Sequence, residues 1–239
     1  MHYSKGQLPA RAFLVALLLA GLLWSCSGDR TPSPADAQEI MSTRSLGLAF
    51  LEEGRLAEAE STFTRLTELA DNEPLGFANL GLVHMRNGDY ENAEKQIERA
   101  VELDPANADV RLLLAEVYGY TDRADEARNL LQESLQVSPD HPNTLYALAQ
   151  SYFNSLDEAE KQKARPHLQQ LVQLMPGNVT IRLQLIELSL RSAEADSAAK
   201  HLEILQQQSP DLPKESQTYF DEALQASRRG DAEAALRPA

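Results

Sequence analysis

The strongest constraint on this chain of 239 residues is a pattern of apolar and small residues that recurs about every 34 positions. Its clearest copy begins near Pro74. The apolar spacing there predicts two amphipathic helices, Leu75–Arg86 and Tyr90–Leu103, joined by a turn over residues 87–89. One such pair cannot bury its apolar face alone, so we expect the copies to stack against one another.

Four residues within this copy explain why it forms a helical hairpin. Gly81 lacks a side chain, so another helix can approach closely there. Gly88 supplies a positive φ at the turn at low steric cost, and Asp89 can cap the second helix. Pro105 blocks further helix, and the residue before it is biased away from the helical conformation. The local chemistry therefore agrees with the apolar pattern.

The same residue types return at fixed distances along the chain. The following copy places them at Leu114, Ala115, Tyr118, Ala127, Leu131, Ser134 and Pro139. The preceding copy places them at Leu46, Gly47, Phe50, Gly54, Ala59, Phe63 and Leu66. Pro176 and Pro210 close two further copies. Agreement in both period and residue type indicates a tandem array of one structural unit.

The Leu-Gly pair, the Gly-Asp-Tyr turn, the spaced alanines and the terminal proline of residues 80–105 resemble the tetratricopeptide repeat family. The resemblance implies an all-α fold, a right-handed superhelical solenoid of antiparallel helix pairs. We expect this solenoid at residues 39–236, with about five repeat units plus a C-terminal capping helix. The expected units are residues 40–73, 74–107, 108–141, 142–178 and 179–212. The expected cap is 215–229, with Tyr219 and Ala223 on its apolar face.

The fourth unit is three residues longer than the others, counted from proline to proline. The extra length falls in residues 154–163, between its two helices. Pro166 fits the first turn of the helix that follows. An insertion at one turn maps to one edge of a solenoid, so we expect a local surface feature there.

The first 25 residues have the layout of a bacterial signal peptide. Lys5 and Arg11 precede an apolar run, Ala12–Trp24. As a helix this run spans ~20 Å, which is shorter than the ~30 Å hydrocarbon core of a bilayer. The pattern therefore predicts export of the chain rather than a membrane span.

Residues 23–26, Leu-Trp-Ser-Cys, resemble the lipobox of bacterial lipoproteins, in which the cysteine carries diacylglycerol. The resemblance implies lipidation of Cys26, the chain's only cysteine, and membrane attachment through that lipid. Ser27 in place of aspartate implies the outer membrane, facing the periplasm. Ordinary cleavage nearby and an uncleaved anchor are the alternatives. Residues 26–38 are predicted to form a flexible tether.

The charge balance excludes one class of partner. Without the leader, the chain holds 20 basic and 36 acidic residues, a net charge of −16. Nucleic-acid binding requires a basic surface, so we expect no nucleic-acid partner. We also expect no enzyme activity, no cofactor and no metal, because the histidines lack zinc-type spacing and no phosphate-binding glycine loop is present.

In the tetratricopeptide repeat family the first helix of each unit lines a concave groove. The resemblance implies a protein or peptide ligand in that groove. The predicted groove residues are Arg44, Leu48, Asn79, Leu82, Met85, Arg86, Leu112, Glu116, Tyr120, Tyr146, Gln150, Phe153 and Glu187, and Leu51, Leu183 and Arg191 share their face. An exposed apolar strip with polar edges is typical of a protein-binding site. Closure of the groove by the C-terminal helix or by the superhelix itself is the alternative.

One sub-family is excluded by its binding residues. Binders of chaperone tails hold a terminal carboxylate with asparagine and basic residues. Arg44 and Asn79 match two of these places, but Leu48, Asp109 and Leu113 occupy the others. Because an aspartate there would repel a carboxylate, we reject this type of site.

These observations predict a lipid-anchored scaffold or adaptor in the bacterial envelope. A second hypothesis is a recognition module of a larger surface or enzyme-linked system. A third is a self-associating structural protein of the envelope, whose oligomeric state the sequence leaves open.

Overall fold

The computed structural model describes residues 33–208 and 213–236, and the regular structure in these ranges is helical. The signal peptide, Cys26 and residues 26–32 of the predicted tether lie outside them. In chain order the helices are α1 Pro34–Glu52, α2 Leu56–Leu69, α3 Pro74–Arg86, α4 Tyr90–Leu103, α5 Ala108–Tyr120, α6 Ala124–Val137, α7 Pro142–Phe153, α8 Glu158–Gln162, α9 Arg165–Leu174, α10 Val179–Arg191, α11 Ala195–Gln208, α12 Lys214–Arg228 and α13 Ala232–Leu236.

Contacts divide the chain into two units, residues 1–42 and 43–239. The described part of the first unit is the beginning of α1. The tether prediction is wrong for residues 34–38, which are helical. Ser33 and Asp36 start this helix with a reciprocal cap: the Ser33 N–H donates to Asp36 Oδ2 at 3.0 Å, and the Asp36 N–H donates to Ser33 Oγ at 3.2 Å. This capping box outweighs the proline-rich composition of the segment.

In the second unit the helices pack as successive pairs. The pairs α3 with α4, α5 with α6, α7 with α9 and α10 with α11 are in contact. Each second helix also packs against the first helix of the next pair, from α2 on α3 to α11 on α12. The predicted solenoid of antiparallel helix pairs is confirmed, and no described strand interrupts it.

The turns between paired helices share one backbone geometry, except in the fourth unit, where α8 lies between the two helices. Gly54, Gly88 and Gly230 have φ near +75° there, while Asp122 and Ala193 take φ +59° and +57° in the units without glycine. The same hydrogen bond then closes each turn, from Arg55 N to Phe50 O, Asp89 N to His84 O, Arg123 N to Tyr118 O, Glu194 N to Ser189 O and Asp231 N to Ala226 O. This is the Schellman closure of a helix C-terminus.

Buried clusters in the middle of the stack are joined by shared side chains. One buried cluster contains Ile97 and Leu114, and a second contains Leu148 and Leu185. The half-buried side chains of Tyr118 and Leu130 pack against both clusters, so these neighbouring units share their core. This is the arrangement in which stability is distributed over neighbour interfaces.

The fourth unit contains the predicted surface feature. Its extra residues form α8, a short helix capped by Asp157, whose Oδ1 accepts from the Ala159 N–H at 2.7 Å. Pro166 lies in the first turn of α9, as expected. The insertion therefore folds as a local helical projection between α7 and α9.

At the C-terminal end, α12 covers the fifth unit. Phe220, Ala223 and Leu224 pack on a buried cluster that includes Ile186 and Leu202. The placement of Tyr219 on this face was wrong, because its side chain is exposed. Phe220 takes the inward position beside Ala223, which turns the preceding tyrosine to solvent. The short helix α13 follows through the common turn.

Candidate functional site

The outward side chains of the first helices share one face of the stack. Helix α3 contacts α5, and α5 contacts α7, so these three first helices lie side by side. Residues four apart on each helix share a stripe along its axis. We call this surface the first-helix face, formed by Arg44, Leu48, Asn79, Leu82, Arg86, Leu112, Glu116, Tyr120, Tyr146, Gln150, Phe153, Leu183, Glu187 and Arg191.

Large apolar side chains on this face remain in contact with solvent. Tyr120 is 64% exposed, Leu183 49%, Tyr146 39% and Leu48 38%. Leu82, Leu112 and Phe153 are half-buried, and the last two pack against the core below. The face therefore combines exposed apolar groups with an apolar floor anchored in the solenoid.

Met85 is not part of this surface. It is 9% exposed and packs among Ala93, Ile97 and Leu114 in the core. Leu51, at the equivalent position one unit earlier, is 5% exposed. At both positions, three residues after a residue of the face, the side chain is buried in the core. Phe153, at the equivalent position of the fourth unit, is half-buried and stays at the edge of the face. The assignment of Met85 and Leu51 to the groove was wrong.

Aromatic rings at the edge of the face are held by neighbours. Tyr120 stacks on Tyr90 of α4, with ring centroids 5.3 Å apart and an angle of 12° between the planes. The Lys161 ammonium lies 5.6 Å from the centroid of the Phe153 ring. These contacts fix the two rings without burying Tyr120, which keeps one side open.

The arginines of the face are already engaged within the chain. Arg44 pairs with Glu73, a contact that joins α1 to the start of α3. Arg86 donates to the Leu51 carbonyl oxygen at 2.9 Å. Arg191 pairs with Glu187 at 2.9 Å and with Glu158 at 2.8 Å. The charges of Arg44 and Arg191 are therefore paired with carboxylates, whereas Arg86 donates to a neutral carbonyl oxygen and keeps its positive charge.

Glu116 and Gln150 of the face have hydrogen-bonding capacity that the described residues do not use. Glu116 makes no hydrogen bond or ion pair with the residues that the structure describes. Its side chain still meets solvent, and partial burial by the surrounding protein raises the pKa of its carboxyl. Gln150, at the equivalent position of the next first helix, has a buried Nε2 without a hydrogen-bond partner. Polar groups withdrawn from water are normally paired, so the Gln150 amide is suited to contact a ligand, and the Glu116 carboxylate is open to one.

The insertion contributes two residues that sequence reasoning missed. Lys161 and Glu158 of α8 reach Phe153 and Arg191, and α8 with the end of α10 bounds an open cleft of about 510 Å³. The extra length of the fourth unit was the available signal, but length alone does not show which side chains reach the face.

The histidines have structural neighbours. His84 Nδ1 lies 3.8 Å from Asp89 Oδ2, and His141 Nδ1 lies 2.8 Å from Thr144 Oγ1. Burial lowers the pKa of His167, whose ring stacks on that of Tyr152.

Within residues 33–208 and 213–236, no cluster of three or more His, Cys, Asp or Glu side chains is placed to hold a metal ion. Over those same ranges, no helix has the length and hydropathy needed for a membrane span.

Comparison with known proteins identifies the repeat unit. Two family models described as tetratricopeptide repeat match residues 74–107 and 155–218. Cellulose synthase operon protein C of Xanthomonas axonopodis pv. citri is 29% identical over 57% of this chain, but the match covers 10% of the relative. Anaphase-promoting complex subunit 3 of Schizosaccharomyces pombe is 27% identical over 45% of this chain and 16% of the relative. The chain thus spans a small part of these longer relatives.

Solved structures share the fold at low sequence identity. PilF from Pseudomonas aeruginosa superposes with a TM-score of 0.63 and 17% identity, covering 84% of this chain and 89% of PilF. YrrB, described as a TPR protein with an unusual peptide-binding site, gives a TM-score of 0.56 and 20% identity over 73% of this chain and 87% of YrrB. With its period, its helix pairs and its repeat matches in agreement, this chain is a member of the tetratricopeptide repeat family.

Proposed function

We propose that this chain is a non-enzymatic protein-interaction scaffold that binds a peptide or protein segment along the first-helix face. The observation that carries the proposal is the run of exposed apolar side chains on that face, from Leu48 through Tyr120 and Tyr146 to Leu183. Exposed apolar side chains grouped on one face mark interaction sites in soluble proteins.

The packing of the C-terminal helix supports this proposal over closure of the groove. Helix α12 packs on α11 and against Ile186 and Leu190 of α10. Gln206 and Asp221 bond across this contact at 2.9 Å. The helix therefore extends the stack, and its position leaves Tyr120 and Tyr146 open to solvent.

The proposal is tested with fluorescein-labelled nonapeptide pools that carry leucine or tyrosine at alternate positions, measured by fluorescence anisotropy on the purified protein. We expect the double variant Leu48→Asp, Tyr146→Asp to lose binding. Both side chains are exposed, so the fold is retained. Tyr219→Asp, which changes an exposed aromatic residue of α12, is the matched control and should bind normally. If the wild type, the double variant and Tyr219→Asp bind the peptides equally, the first-helix face is not the binding site.

The same proposal places the scaffold in a bacterial envelope, anchored by a lipid on Cys26 after removal of the signal peptide. The support is the leader pattern of residues 1–26. In a bacterial host that is fed a labelled fatty acid, the wild type should acquire label and sediment with outer membranes, whereas Cys26→Ser should do neither. A wild-type protein without label would contradict the anchor.

A second candidate function is a recognition module of an enzyme-linked envelope system. The similarity to part of the cellulose synthase operon protein C of two bacteria favours it, because in those relatives the repeats are a segment of a longer chain. Co-purification of a synthase with the tagged protein, lost in Leu48→Asp, Tyr146→Asp, would favour this function over a free-standing adaptor. A defined oligomer in light scattering would favour self-association.

A further inference from the structure

We infer that the first-helix face selects peptide segments that carry a lysine or arginine among apolar residues, and that Glu116 recognises this cation. The inference rests on the proposed function and specifies the chemistry of the partner. It follows from the unpaired charge of Glu116 and from what surrounds this side chain.

Glu116 lies in the middle of the apolar part of the face. On α5 it stands four residues after Leu112 and four before Tyr120, so the three side chains form one stripe along the helix. Leu112 is anchored in the core below, and Tyr120 is fixed by its stack on Tyr90. The carboxylate is therefore held between two rigid apolar neighbours.

Arg44, Arg191 and Glu187 are paired with opposite charges, and Glu116 is not. Arg86, on the neighbouring helix α3, donates to the neutral Leu51 carbonyl oxygen and keeps its positive charge. Asp109, one helical turn before Leu112 on α5, lies 3.3 Å from His141 Nε2. Partial burial acts on the Glu116 carboxyl without a described cation to offset it. Within the stripe of Leu112, Glu116 and Tyr120, the free charge available to a ligand is thus negative and lies on Glu116.

A basic side chain on an apolar peptide is complementary to the apolar, aromatic and acidic groups of this surface. The methylene stem of lysine or arginine can cover Leu112 while its charged end reaches the carboxylate. The open side of the Tyr120 ring can hold the same cation through a cation–π contact. One helix further, the free Nε2 of Gln150 can donate to a carbonyl oxygen of the peptide backbone. A glutamate in the same place would meet like charge without compensation.

The charge of the whole chain acts in the same direction. Its formal net charge is −14. A field of this sign raises the association rate of basic segments and lowers that of acidic ones. This long-range effect does not depend on any single residue, so the test must separate it from the local role of Glu116.

The test uses three nonapeptide pools with leucine or tyrosine at alternate positions and lysine, glutamine or glutamate fixed at the centre. We expect the lysine pool to bind about tenfold more tightly than the glutamine pool at moderate salt. Glu116→Gln should abolish this preference, and Glu116→Lys should reverse it in favour of the glutamate pool. Glu133→Gln, an exposed acid on the second helix α6, makes the same change in net charge and should keep the preference.

The outcomes separate this inference from the proposed function. If the three pools bind equally and Glu116→Gln changes nothing, while Leu48→Asp, Tyr146→Asp abolishes binding, the basic partner is wrong and the binding face stands. If Glu133→Gln and Glu116→Gln weaken the lysine pool equally, net charge is the cause and the role of Glu116 is overturned. If no pool binds, or binding ignores the face, the proposed function fails together with the inference.

Discussion

Gly81 lies directly against Ile97, so closely that a Cβ added to the glycine would stand 2.4 Å from Cγ1 of Ile97. The same relationship links Gly47 to Phe63, where the distance to Cε1 would be 2.8 Å. No real Cβ tolerates such a contact without movement of its neighbour. Absence of a side chain at this position therefore sets how closely the two helices of a pair approach.

We expect Gly81→Leu to lower the free energy of unfolding by ~1–3 kcal/mol, because the new side chain overpacks the α3–α4 contact. Urea unfolding followed by circular dichroism measures the change. Gly119→Ala is the matched control, since a Cβ there meets no atom within 4 Å. It should raise stability by up to ~1 kcal/mol through helix propensity. Equal effects of both substitutions would contradict the assigned interface.

Local patterns predicted the repeat architecture well because the determinants are close in sequence. The second helix of the clearest unit was predicted at Tyr90–Leu103 and is found there. Asp89 caps it as expected, accepting from the Asn92 N–H at 3.2 Å. The same hairpin is predicted by the apolar period, the helix cap, the turn glycine and the terminal proline. A sequence specifies one structure when its local signals agree in this way.

The errors occurred where the outcome depends on contacts between elements. Met85 and Tyr219 lie near the boundary between a buried and an exposed stripe, where a small rotation of the helix decides burial. The helical period of 3.6 residues does not decide whether a side chain at such a boundary is buried or exposed. Likewise, the engagement of Arg86 with the Leu51 carbonyl oxygen crosses 35 residues. The candidate face was thus predicted as a set of positions, but its free charge followed only from the structure.

The turn at Ala193 gives a second prediction. Ala193 has φ +57°, a left-handed conformation that costs a residue with a Cβ roughly 1–2 kcal/mol. Ala193→Gly should therefore raise the free energy of unfolding by ~1 kcal/mol, offset in part by the greater freedom of glycine in the unfolded chain. Thermal unfolding should show a higher midpoint for the variant.

The reciprocal substitution provides the control for this turn. Gly88 has φ +76° at the equivalent position, and a Cβ added to it would meet no atom within 4 Å. Gly88→Ala should lower stability by ~1 kcal/mol through conformation alone. If both substitutions shift the midpoint in the same direction, the backbone explanation is wrong.

Glu116 predicts a pH dependence of stability. Partial burial raises the pKa of its carboxyl above the ordinary value in the folded chain, so the folded state binds the proton more tightly than the unfolded state. The contribution to stability is complete below the unfolded pKa and is lost as the pH rises through the folded pKa. Glu116→Gln should therefore match the wild type near pH 4 and be the more stable protein near pH 8.

Urea unfolding of both proteins at several pH values measures this difference. Glu133→Gln changes an exposed carboxylate and should show no comparable pH dependence relative to the wild type. A constant offset between Glu116→Gln and the wild type across the range would show that the substitution acts through packing, and burial of the carboxyl would then be excluded as the cause.

Arg165 at the start of α9 joins the fourth unit to the fifth. Its side chain is 17% exposed and donates to the Leu188 carbonyl oxygen at 3.0 Å, to Ser189 Oγ at 3.2 Å and to Glu194 Oε2 at 3.1 Å. A lysine keeps the charge but cannot reach these acceptors together, because it lacks the planar fork of the guanidinium. Arg165→Lys should therefore lower the free energy of unfolding by ~1–3 kcal/mol.

The matched control for Arg165 is Arg99→Lys on α4. Arg99 pairs with Glu102 at 2.9 Å on the surface, with both side chains exposed, and the loss should stay within ~0.5 kcal/mol. Hydrogen exchange adds a spatial readout, because loss of the Arg165 contacts should increase exchange in α10 and α11 more than in α3 and α4. Uniform exchange along the stack would show that the fourth and fifth units are coupled by their apolar core alone.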